Sequence, residues 1–157
     1  MKKSHIRPCF FLNIILLTLL FFSTSATLAT AVEYLNSPAI ESLGLPFSEA
    51  VRVGDTLYLS GQLGNKPGTH EVVAGGVAAE TRQALENISA TLKRHGSSLQ
   101  ELVKCTIFLA DIKEWPEMNT VYKTFFSEHY PARSAIAGSG LALGARVEIE
   151  CISVFQK

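Results

Sequence analysis

The stretch PARSAIAGSGLALGARVEIE, Pro131 to Glu150, concentrates the unusual chemistry of this chain. It places one arginine, Arg133, after a Pro-Ala pair at the start of a short apolar run. A Gly/Ser/Ala-rich connection then leads into Arg146-Val-Glu-Ile-Glu150. In a strand, side chains two apart share a face, so Glu148 and Glu150 point the same way. A planar, permanently charged guanidinium with paired donors suits a small carboxylate, and a carboxylate on a neighbouring segment can move protons or hold a water. Surface ion pairs at a sheet end are the ordinary alternative, and on composition alone the commoner one.

Moving outward, the strand that carries the glutamates has Val147, Ile149, Cys151 and Phe155 on its other face, while Ile152 and Val154 extend the glutamate side. Upstream, Val103, Cys105, Ile107 and Leu109 alternate with Lys104, Thr106 and Phe108, the period of a strand with one firmly apolar side. Between the two, a helix beginning near Asp111 or Pro116 runs through Met118, Val121, Tyr122, Phe125 and Phe126, an aromatic stripe suited to a core. Another helix is expected over Val77 to His95, where Ala78, Leu85, Ile88 and Leu92 recur at helical spacing and Gly96 stops it. Ala50 to Val53 and Thr56 to Ser60, joined by Gly54-Asp55, form a hairpin. Gly64 to Gly68 is turn material, and Val32 to Leu45 reads as an extended lead-in. Hairpin, helix, strand, helix and two strands predict one α+β domain, a mixed sheet with both helices on one face. Apolar residues on both sides of the last strand favour oligomerisation.

The N-terminal residues have a different character. Lys2, Lys3 and Arg7 precede the apolar run Phe10 to Phe22, and Ala29-Thr-Ala31 supplies a small-x-small pattern. This predicts a secretory signal peptide over residues 1–31, a mature domain over 32–157, an exported location that is periplasmic or secreted, and no stable membrane anchor after cleavage. The run is shorter than the roughly 20 apolar residues of a spanning helix. Without those three basic residues the 14 Lys+Arg fall to 11, against 14 Asp+Glu. An acidic domain disfavours nucleic acid as a partner. His70, His95 and His129 are scattered and no ligand spacing appears, so no metal is expected. Cys105 and Cys151 have two readings: a disulfide in an oxidising compartment, or, favoured by their apolar strands, two buried free thiols.

The Pro131 to Glu150 stretch resembles the C-terminal signature of the RidA (YjgF) family of enamine/imine deaminases. The likeness continues through Leu59-Ser-Gly-Gln62, Thr81-Arg-Gln-Ala-Leu-Glu-Asn-Ile88 and Met118-Asn-Thr-Val-Tyr122, nearly the whole chain from Pro46 to Val154. The resemblance implies a chorismate-mutase-like α+β fold and a homotrimer with ligand sites between subunits. It makes Arg133 the grip on a substrate carboxylate and Glu148 the group that activates water. Asn119, Ser60 and Gly61 become substrate-binding positions. Two departures stand out: Phe47 where many members have tyrosine, and Ala135 where many have cysteine. Both remain candidate substrate contacts, Phe47 as an aromatic wall and Ala135 through its backbone N–H. The implied activity is cofactor-free hydrolysis of 2-imino acids to 2-oxo acids and ammonia, with a small 2-imino or 2-oxo acid as ligand. A non-catalytic module binding small carboxylates in the same cleft is the main alternative, and a structural or chaperone-like role is a second.

Overall fold

The computed structural model describes residues 30–155, so the expected signal peptide lies almost wholly outside the described residues. Within them, β1 (Val32–Leu35) and a one-turn helix α1 (Pro38–Glu41) precede the hairpin of β2 (Ala50–Val53) and β3 (Thr56–Leu59). Then follow β4 (Gln62–Leu63), α2 (Gly76–Arg94), β5 (Leu102–Leu109), α3 (Trp115–Tyr122), β6 (Ala132–Ala137) and β7 (Val147–Val154). The sheet runs β1-β2-β3-β7-β5-β6, with β4 pairing β7 beyond the end of β3. Only β5 and β6 are parallel, and α3 forms the crossover between them. The mixed α+β sheet is the expected architecture.

Local chemistry explains most of these elements. The β2–β3 turn places Gly54 at φ 58°, a left-handed conformation that glycine adopts without a Cβ clash. Helix α2 buries Val77, Thr81, Ala84, Leu85, Ile88 and Leu92, a stripe at helical spacing that begins at Val77 rather than Ala78. Lys93 and Arg94 in its last turn suit the negative end of the helix dipole, and Gly96 at φ 80° ends it. At Gly64 a Cβ would come within 2.5 Å of the Glu80 Cα, so a glycine is what lets α2 lie this close to β4.

One core joins both helices to a single side of the sheet: Leu57, Leu85, Ile88, Leu92, Ile107, Met118 and Ile149 are all fully buried. Each such side chain contributes roughly 1.5–3 kcal/mol on burial. The opposite side of the sheet carries Tyr34, Tyr58 and Ile136, all exposed, and no element among the described residues covers it.

Three expectations need correction. The lead-in is not featureless: Val32–Leu35 adds an edge strand to β2, and Ser37 caps α1 by accepting from the Ile40 N–H. Pro38 at the first helical position is preset for that turn. In β5 the register slips between Leu102 and Lys104, a bulge that turns Leu102 inward and leaves Val103 46% exposed. Finally, Cys105 and Cys151 face each other directly across β5 and β7 and form a disulfide, in place of the free thiols their apolar surroundings favour. Apolar context says nothing about register, and register is what pairs them.

Candidate active site

Arg133 is set by β6. It lies in register with Cys105, so its side chain is on the helix-covered side of the sheet. There the guanidinium lies 4.7 Å from the centroid of the Tyr122 ring and 5.9 Å from that of Trp115. The two rings come from one face of α3, because Trp115, Asn119 and Tyr122 are spaced four and three residues apart. Cation–π contacts of this kind contribute about 0.5–2 kcal/mol and hold the charge without neutralising it. Arg133 makes no ion pair among the described residues. It lines a cleft of about 370 Å³ with Asn119, Tyr122, Lys123, Tyr130 and Pro131. Tyr122 is 3% exposed and its hydroxyl has no hydrogen-bond partner among the described residues. Burial pushes its pKa up to about 12, against a smaller downward pull from Arg133.

Glu148 is set by β7, and it faces the other way. Its register partner is Phe108 on β5, and its neighbours Val147 and Ile149 are the buried residues. Glu148 and Glu150 share the uncovered side of the sheet, as their spacing predicts. The Glu148 carboxylate lies against Gly61: a Cβ there would be 1.9 Å from Oε1. Partial burial raises the Glu148 pKa above the usual carboxylate range, and the like charge of Glu150 raises it further. A carboxyl group so treated becomes a better proton acceptor when ionised.

The expected site residues therefore form two groups. Arg133 and Asn119 line the helix-side cleft, with Ala135 half-buried two residues along β6 from Arg133. Gly61 and Phe47 line a second cleft of about 280 Å³, and Glu148 adjoins it at Gly61. Ser60 lies beside Gly61, but its hydroxyl already donates to the Ser48 carbonyl at 2.7 Å. One chain does not bring the guanidinium and the carboxylate together, contrary to the simple expectation of neighbouring segments. Strand β5 stands between β6 and β7, and the two side chains leave opposite faces. Sequence reasoning also missed Trp115 as a wall for Arg133; its position four residues before Asn119 was the available signal. Among the described residues no three His, Cys, Asp or Glu side chains cluster as a metal site would require.

Comparison with known proteins gives a consistent picture. The family model described as Endoribonuclease L-PSP matches residues 37–155. The chain is 48% identical over 109 residues to the 2-iminobutanoate/2-iminopropanoate deaminase of Bos taurus, covering 69% of this chain and 80% of that one. It is 42% identical to the human protein of the same name, with the same coverage. Among solved structures, RidA from an Antarctic Psychrobacter superposes with a TM-score of 0.68 at 35% identity, covering 82% of this chain and 99% of that one. TdcF of E. coli with bound serine gives 0.67 at 35% identity, covering 71% and 90%.

Proposed function

The chain belongs to the RidA (endoribonuclease L-PSP) family, and from that premise we propose that it hydrolyses reactive 2-imino acids, or their enamine tautomers, to 2-oxo acids and ammonia. The observation that carries the reading is Arg133: a guanidinium without an ion pair among the described residues, held by two aromatic rings at the wall of an open cleft. An uncompensated cation so held is ready to accept a carboxylate. That the E. coli relative is described with bound serine supports a small ligand of this type.

The reaction needs no nucleophilic side chain and no cofactor. In the protonated imine, C2 is already electrophilic. Arg133 fixes the carboxylate, so attack by water becomes a positioned event. Glu148 takes a proton from the attacking water as the C–O bond forms, giving a tetrahedral carbinolamine. Glu148 passes that proton to nitrogen. As the C–N bond breaks and ammonia leaves, the carbinolamine hydroxyl gives its own proton back to Glu148 and the carbonyl of the 2-oxo acid forms, the proton then leaving with ammonia as ammonium. The raised pKa of Glu148 suits it to this exchange. Because Arg133 and Glu148 leave opposite faces within one chain, a site using both is assembled between copies. A homotrimer with its ligand sites at the seams satisfies this requirement and would also cover the apolar sheet face.

We place the enzyme outside the cytoplasm, following removal of residues 1–31. The buried Cys105–Cys151 disulfide supports this, since such bridges persist in oxidising compartments. The net acidic character of 32–157 favours deamination over an activity on RNA. The competing reading, a carboxylate-binding module without turnover, is motivated by Phe47 and Ala135, which lack the hydroxyl and thiol many relatives have.

A coupled assay decides between them. An amino-acid oxidase generates the imine in situ, and its disappearance is followed against buffer alone. Imine loss above the buffer rate that Arg133→Ala abolishes supports the deaminase. Binding of a 2-oxo acid without any rate increase supports the module, and ammonia release undiminished in Arg133→Ala overturns the proposed role of the arginine.

A further inference from the structure

The cleft beside Gly61 has an apolar wall that the hydrolysis itself does not use. Ile40, Leu43, Leu45 and Phe47, from the segment around α1, line it together with Leu63 and Leu143. The wall begins where the water-activating group is: Leu63 is the register partner of Glu148, and Gly61 is shared between the cleft and the Glu148 carboxylate.

Leu143 is the unexpected member. At φ 59° and ψ 14° it is the one non-glycine residue with positive φ among the described residues. Glycine would adopt this backbone without a Cβ clash, whereas leucine does so against its preference. Its side chain is 54% exposed and takes no part in the hydrophobic core. A large apolar side chain is thus held in a disfavoured conformation at a cleft mouth, outside the core, and such positions concentrate at ligand-contacting sites.

A 2-imino acid carries three groups at C2: carboxylate, nitrogen and side chain. With the carboxylate on Arg133 and the water on Glu148, the side chain is left to the space beside Gly61. We infer that the Phe47–Leu143 cleft receives that side chain, and that the enzyme selects imines with apolar side chains of about leucine size, Leu143 being the specificity-determining residue. The inference rests on the deaminase reading of Arg133 and Glu148. A methyl group leaves most of about 280 Å³ unfilled. A leucine side chain removes several more carbons from water, enough for a preference of about tenfold or more.

The test compares imines generated by amino-acid oxidase from leucine and from alanine, with full-length mature protein and with Leu143→Gly, which suits the left-handed backbone. In parallel, binding of 4-methyl-2-oxopentanoate and pyruvate is titrated by fluorescence of Trp115, the chain's single tryptophan, which lies beside Arg133. The expected result is kcat/KM about tenfold or more higher for the leucine-derived imine. Leu143→Gly then loses about fivefold on that imine and stays within about twofold on the alanine-derived one. Equal rates on both imines, or equal slowing of both by Leu143→Gly, overturn the inference and leave the deaminase reading intact. No imine turnover, but tighter binding of 4-methyl-2-oxopentanoate that Leu143→Gly removes, upholds the cleft and overturns the deaminase reading. Neither turnover nor differential binding overturns both.

Discussion

Arg133 and Glu148 leave opposite faces of one sheet: the arginine is in register with Cys105 on the core side, the glutamate with Phe108 on the uncovered side. A reaction that needs both therefore draws them from two chains. Inactive Arg133→Ala and inactive Glu148→Gln proteins, unfolded together, refolded and assembled as mixed oligomers, should regain activity. If partners mix at random across cyclic seams, about a quarter of the sites receive an intact arginine and an intact glutamate. Recovery near that fraction is the expected outcome. No recovery in mixed oligomers, verified by mass, would sink the shared site.

Gly61 is a conformational necessity of a different kind. It lies half-buried in the short link between β3 and β4, and its missing Cβ leaves room for the Glu148 carboxylate. In Gly61→Ala the added carbon and Oε1 cannot both keep their places. The mobile end of the glutamate yields more readily than backbone does. Activity should fall about tenfold to a hundredfold while the thermal midpoint moves by only a few degrees. A variant as active as the parent would show that the carboxylate does not work from this position.

The contrast between these residues and the rest marks what the amino-acid order reveals. Periodicity over Val77 to His95, the Gly54-Asp55 turn and the alternation of β7 are local signals, and each corresponds to an element found in the structure. Which strands become neighbours is a long-range property. Nothing local says that β5 separates β6 from β7, that Cys105 faces Cys151, or that Val103 occupies a bulge. The segment from Pro38 to Phe47 has no clear period because its apolar residues line a cleft rather than a helix face buried in the core. Glu148 and Arg133 stand out in the sequence as candidate site residues; the sheet face that each one occupies does not.

The disulfide gives a prediction about stability. Cys105 and Cys151 are 46 residues apart and lie on adjacent core strands. Closing a loop of that length restricts the unfolded chain by about 4 kcal/mol in the entropic account. Replacing both residues by alanine should lower the unfolding free energy by roughly 2–4 kcal/mol at fixed protein concentration, read from denaturant midpoints. The native protein should also be two hydrogens lighter by mass than its reduced form. Two titratable thiols in denatured, unreduced protein from an oxidising compartment would count against the bridge.

On the proposed mechanism, with Glu148 as the base, the pH dependence of catalysis follows from Glu148 and its neighbour Glu150. The Glu148 carboxyl is held above its ordinary range, first by desolvation and then by the negative charge of Glu150. As a base it works only when ionised, so the acid limb of kcat should be controlled by this raised value. Glu150→Gln removes a like charge two residues away on the same strand face. Loss of that repulsion favours ionised Glu148, so the acid limb must move to lower pH, and the weaker base should also slow the plateau slightly. Glu150→Asp keeps the charge and should leave the limb near its original place. A limb that moves upward in Glu150→Gln, or does not move at all while Glu148→Gln is inactive, would mean that another group sets the profile.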